Sequence, residues 1–184
     1  MNLNDTKFFK VIERIGIKRI IESGDFLLAF MLSLLISWIS YDLSLSKSMI
    51  IDLGAIMVTI ASTTLAVIIA GLAIVVSVSD NDFIKLLKQH KIYDNILSLF
   101  WFSAIIAGIS IISTVISLSL TKFINNIILS KMVIDEIIFA ASFGISLFFT
   151  FYALFSAILL VGTIMRWGLY RGAFVDIGYE NVGK

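Results

Sequence analysis

Residues Leu53–Val78 read LGAIMVTIASTTLAVIIAGLAIVVSV, an unbroken run without one ionisable side chain. A helix rises 1.5 Å per residue and the hydrocarbon core of a bilayer is about 30 Å thick, so about 20 apolar residues cross it. A helix that is apolar all round is covered by protein or lipid on every side. Working outward, Ile96–Leu120 and Ile137–Met165 are equally free of charge. Phe26–Tyr41 is a weaker fourth. Extended to Leu45 it reaches about 30 Å, with Asp42 near the interface. The last run is about 43 Å long, so it tilts or projects beyond the bilayer.

These runs predict an all-α protein, a polytopic membrane helical bundle of four transmembrane helices with short amphipathic helices attached. The organisation expected is a cytoplasmic amphipathic helix over residues 1–25, a transmembrane domain over 26–166 and a cytoplasmic tail over 167–184. Within the domain the spans fall at about 26–45, 53–78, 96–120 and 137–165. Composition agrees: 59% of the 184 residues are hydrophobic and 15% charged, against about 45–50% apolar in soluble domains. Mean hydropathy is +1.03. There is no proline, which favours straight spans, and no cysteine, which removes disulfides, thiolate catalysis and cysteine metal sites. A net charge of +1 gives no bias toward nucleic acid.

Basic residues set the orientation, because positive loops stay in the cytoplasm. Lys7, Lys10, Arg14, Lys18 and Arg19 precede the first span, and Lys85, Lys88 and Lys91 lie between the second and third. Arg166, Arg171 and Lys184 follow the fourth, while Lys47, Lys122 and Lys131 fall on the other side. The expectation is a bacterial inner-membrane protein with both termini inside. Ser44-Leu45-Ser46 is a poor cleavage site, so the first span reads as retained rather than as a signal peptide.

Outside the spans, Asp5–Ser23 reads as one amphipathic helix, with Phe8, Val11, Ile12, Ile15 and Ile20 opposite Lys7, Lys10, Arg14, Lys18 and Glu22. It either lies on the inner leaflet or docks a cytoplasmic protein partner. Ser79 or Asp80 caps a second amphipathic stretch that carries Lys85 and Lys88. Asp80-Asn81-Asp82 lacks the glycine and glutamate of a calcium loop, so capping explains it better. The apolar segment Thr121–Glu136 reads as a short helix along the outer surface. Trp38, Trp101, Trp167 and Tyr170 sit near span ends, as interfacial anchors do.

The inventory argues against an enzyme. His90, in the inner loop, is the one histidine, and no glycine-rich phosphate loop appears. No catalytic residue, metal site or cofactor is expected. The spans themselves hold no Asp, Glu, Lys, Arg or His, whereas proton relays and ion-coupled transporters carry such groups inside the membrane. Passive permeation and helix packing remain.

Small and hydroxylated stripes bear on that choice. In the second span Ser62, Ala66, Ala70, Ala73 and Ser77 share a face and read as a helix-packing surface. In the third, Ser103, Ala107, Ser110, Thr114 and Ser117 share a face; this more polar stripe is the candidate pore lining, since spaced hydroxyls can wet a lumen. The fourth span carries Ser142, Ser146, Thr150, Ala153 and Ala157, the first Ser33, Ser37 and Ser40. Every stripe could instead pack helices closely. A pore built from four-helix protomers requires a homo-oligomer.

Ile69-Ala70-Gly71-Leu72-Ala73-Ile74-Val75-Val76, followed by Ser79-Asp80-Asn81-Asp82-Phe83 and Tyr93-Asp94, resembles a pattern in small four-helix bacterial inner-membrane proteins. Some of these belong to anti-phage defence operons, beside a soluble enzyme or sensor. The resemblance covers roughly a quarter of the chain and transfers no catalytic or ligand residue. It implies a membrane subunit that oligomerises and compromises or monitors the inner membrane during infection. The functional expectation is an oligomer that forms or gates an ion-permeable path under cytoplasmic control. The alternatives are a scaffold that recruits a cytoplasmic partner and an uncoupled small-molecule transporter.

Overall fold

The computed structural model of the chain describes residues 16–42, 47–77, 92–127 and 133–182. All are helix or the turns between helices. In chain order, α1 spans Ile17–Ile21, α2 Gly24–Asp42, α3 Lys47–Ser77, α4 Ile92–Ile127 and α5 Val133–Val182. Three of these are long and apolar enough to cross a membrane, over Ile51–Ser77, Tyr93–Thr121 and Ala140–Leu169. The shorter α2 is apolar over Gly24–Ser40. The fold is therefore the helical membrane bundle that the charge-free runs predict.

The core is a three-helix unit of α3, α4 and α5, with α2 packed along α5. Each long helix buries residues at alternating steps of three and four. On α3 these are Gly54, Met57, Ala61, Thr64, Ile68, Gly71 and Val75. On α4 they are Ile96, Phe100, Ser103, Ala107, Ser110, Thr114, Ser117 and Thr121. On α5 they include Phe143, Ser146, Thr150, Ala153, Ala157 and Leu160. A mean repeat of 3.5 residues keeps one seam facing its neighbours and belongs to left-handed, shallow-angle packing. Glycines bring the axes together. A methyl group on Gly71 would come within 2.8 Å of Ile164 Cδ1 and 3.3 Å of Phe100 Cε1, and one on Gly54 would run into Leu118.

Neighbours alternate in direction, so the bundle has two ends. Ser77, Ile92 and the second half of α5 mark the base; Asp42, Lys47, Ile127 and Val133 mark the crown. The outward surface is apolar over its length, with Leu27, Met31, Leu35, Ile69, Ile112, Ile116, Ile158, Met165 and Leu169 exposed. Such a surface is stable only under lipid or another protein.

Several expected boundaries move. Gly16 has φ +85° and stands just before α1, a conformation that L side chains rarely adopt. The amphipathic segment read as one helix over Asp5–Ser23 is therefore broken at Gly16. Its earlier part, with Lys7, Lys10 and Arg14, lies outside the described residues, as do the inner stretch with Lys85 and Lys88 and His90. The segment beginning at Thr121 does not turn onto the outer surface at once: α4 continues through it to Ile127. Likewise α5 runs through the boundary placed at 166/167 as one helix of 50 residues, about 75 Å long.

Candidate functional site

The stripe on α4 is sealed. Ser103, Ala107, Ser110, Thr114 and Ser117, expected to line a pore, are all buried within the protomer. The reason is what stands opposite: the α5 stripe of Ser146, Thr150, Ala153 and Ala157, also buried. Small faces allow close approach, and the hydroxyls are used in the seam. Ser110 and Thr150 oxygens lie 2.9 Å apart, and Ser117 and Ser142 3.3 Å apart. Thr114 donates to the Ser110 carbonyl at 2.8 Å. Within the protomer this is a packing surface.

The stripe on α3 has the opposite fate. Ser62, Ala66, Ala70, Ala73 and Ser77, expected to pack helices, all lie on the outside. The protomer packs α3 through the seam from Gly54 to Val75, and the stripe occupies the other side of the helix. Thr59 and Thr63 extend it toward the crown and are exposed as well. Within the protomer, then, the α4 stripe packs and the α3 stripe faces outward.

A third feature was not visible in the spans. α2 does not run the whole length of α5. The Phe26 ring lies 5.3 Å from Phe148 and 5.8 Å from Tyr152, edge to face. At the other end Ser37 Oγ donates to the Ala140 carbonyl at 3.2 Å, next to Gly144, where a methyl group would meet Ser37 Oγ at 3.1 Å. α2 therefore covers α5 only from Ala140 to about Tyr152. Tyr152 is about 18 Å from Ala140 and about 26 Å from Leu169 along the helix. A hydrocarbon layer about 30 Å thick, centred on the Ala140–Leu169 window, puts Asp25 within about 5 Å of its midplane.

Asp25 is in the first turn of α2; α1 adds Lys18 and its C-cap is Glu22, and the charges of these two lie 3.7 Å apart. The turn between the helices is well held. Ser23 Oγ donates to the Ile20 carbonyl at 2.7 Å and accepts from the Phe26 N–H at 3.3 Å. Ile20 and Phe26 pack against the main core, so the charged corner is anchored at this level. A carboxylate at the centre of a bilayer costs about 2.5–3.5 kcal/mol on insertion scales, and such groups almost always face protein or water.

The sequence carries a signal for this arrangement in the shortness of the first span beside the other three. Charge-free length alone does not show which end of α5 the short helix meets. Among the described residues, no three His, Asp or Glu side chains are grouped so as to hold a metal ion. Comparison with protein-family models, curated proteins and solved structures finds no match to this chain.

Proposed function

We propose that the chain is a homo-oligomeric protein of the bacterial inner membrane, with both termini in the cytoplasm, whose assembled copies form or gate a path for ions. The distribution of Lys and Arg supports this orientation, with the base as the cytoplasmic end. The observation that carries the reading is the charged corner of Lys18, Glu22 and Asp25, which sits at half depth on the outside of the protomer. In a lone protomer it would face hydrocarbon; in an assembly it faces a space between copies. The polar interior of the protomer is closed by the α4–α5 seam, so a path runs between protomers. The outward stripe of α3, with its small residues, offers a surface on which copies approach closely. The resemblance to defence-operon membrane proteins fits such a path, whose opening would depolarise the cell during infection.

Mass measurement in detergent and ion flux through protein-loaded liposomes test this reading. An oligomer and flux that rises with protein loading are expected. A monomer at all concentrations, or liposomes that stay tight at high loading, sinks it.

One observation favours a second reading, a scaffold for a cytoplasmic partner. α5 continues as helix from Leu169 to Val182, about 20 Å beyond its apolar window. Truncation after Leu169 would then abolish capture of that partner while insertion is retained. Capture that survives truncation removes the scaffold reading for this helix.

A further inference from the structure

We propose that the α1–α2 corner borders a water-filled vestibule, open at the base, which brings water and small ions to half the depth of the membrane. The inference deepens the ion-path reading by naming the inlet, and it rests on an inversion of polarity with depth. Lys18 and Glu22 are 87% and 64% exposed, in the turn that leads into Asp25 and Phe26, and Phe26 meets Tyr152. Between that level and the exposed Arg166 nearer the base, α5 exposes Ile158, Leu159 and Val161, and α3 exposes Ile74 and Val76.

No flat bilayer satisfies both sets. A layer covering the apolar base submerges the corner, and a layer whose edge lies at the corner leaves Leu159 and Val161 in water. The arrangement is consistent when lipid covers the flanks of α3 and α5 while water enters beside α1. Non-helical backbone and charged groups are tolerated at membrane depth where they line such a cavity. Among the described residues, nothing on α4 or α5 supplies a counter-charge. Tyr152 on α5 and Phe102 on α4, whose rings lie 6.3 Å apart, are the neighbours at this level, and the windows of α4 and α5 lack charge between Asp94 and Lys122 and between Glu136 and Arg166. Lys18 is engaged with Glu22. Water in such a vestibule would support the Asp25 carboxylate. The corner is also a built feature rather than a frayed end, since Ser23 closes the turn and Ile20 and Phe26 fasten it to the core.

The absence of cysteine from the chain makes the test direct. Single variants Glu22→Cys, Asp25→Cys, Leu159→Cys and Val161→Cys of the full-length protein, reconstituted in liposomes, would be treated with a small charged thiol reagent on both faces. Leu159 and Val161 lie about 10 and 14 Å nearer the base than Tyr152 along α5. The expected result is labelling at positions 22 and 25 and none at 159 and 161. Labelling that follows depth, equal labelling at all four positions, or none at 22 and 25 overturns the proposal. Glu22 is exposed and its replacement disturbs no packing, so Glu22→Cys decides the matter if Asp25→Cys does not fold. The labelling pattern needs no conduction: tight liposomes with positions 22 and 25 labelled would leave the vestibule standing and remove the ion path.

Discussion

The Ser110 hydroxyl on α4 donates to the Thr150 hydroxyl on α5 across 2.9 Å, deep in the bundle. The direction follows from proton counting. Thr150 gives its own proton to the Ser146 carbonyl at 2.8 Å, so its oxygen is left to accept. A side chain that looked suited to a wet lumen thus joins two helices in a dry seam.

Breaking that link has a measurable cost. Thr150→Val keeps the shape of the side chain and removes the acceptor, and Ser110→Ala removes the donor. Each single change should destabilise the protein by about 0.6–2 kcal/mol, the range for hydroxyl contacts between membrane helices. The double variant should cost less than the sum. Reversible unfolding in mixed detergent micelles measures the coupling, and strict additivity would mean that the two hydroxyls do not interact.

Gly71 should tolerate one methyl group and little more. In Gly71→Ala the new atom meets the end of Ile164, which can rotate away, while the buried Phe100 ring stays 3.3 Å off. Gly71→Leu has no such outlet and should cost about 1–3 kcal/mol by overpacking. A fall in melting temperature for leucine, with alanine near wild type, is the expected pattern.

Large residues on the outward stripe should separate folding from assembly. Ala66→Leu with Ala70→Leu adds bulk where α3 touches nothing inside the protomer, so stability should stay within about 0.5 kcal/mol of wild type. Assembly through this face should fail, and the mass in detergent should drop. An unchanged oligomer would place the contact between copies elsewhere.

The seat of α2 depends on Gly144. A side chain there strikes Ser37, so Gly144→Val should loosen α2 while α3, α4 and α5 remain packed. Hydrogen exchange should quicken over Ser33–Ser40 and stay slow at Ile106–Thr114. Equal quickening in both would show that α2 and the three-helix unit unfold together.

The spans were legible because lipid imposes one condition, absence of charge, that is written locally in the sequence. Which way a stripe points is not written locally. Ser103–Ser117 and Ser62–Ser77 both read as small, polar faces, and only the packed bundle shows the first buried and the second outside. A better clue lay in the stepping of three and four through Gly54, Met57, Ala61, Thr64, Ile68, Gly71 and Val75, which marks the packed side of α3 without regard to polarity. The depth of Asp25 was harder still. It depends on Phe26 meeting Tyr152, a pairing of side chains more than a hundred positions apart.

The hydroxyls on the outer face of α3 have their own consequence. Thr59 donates to the Ala55 carbonyl at 3.0 Å, Thr63 to the Thr59 carbonyl at 2.8 Å and Ser77 to the Ile74 carbonyl at 3.1 Å. Each donor is satisfied by its own helix and each oxygen keeps a free lone pair. At these three positions the face is therefore indifferent to its surroundings: acyl chains, a neighbouring helix or water can replace one another against them without stranding a proton. A surface with that tolerance can change neighbours reversibly inside a membrane.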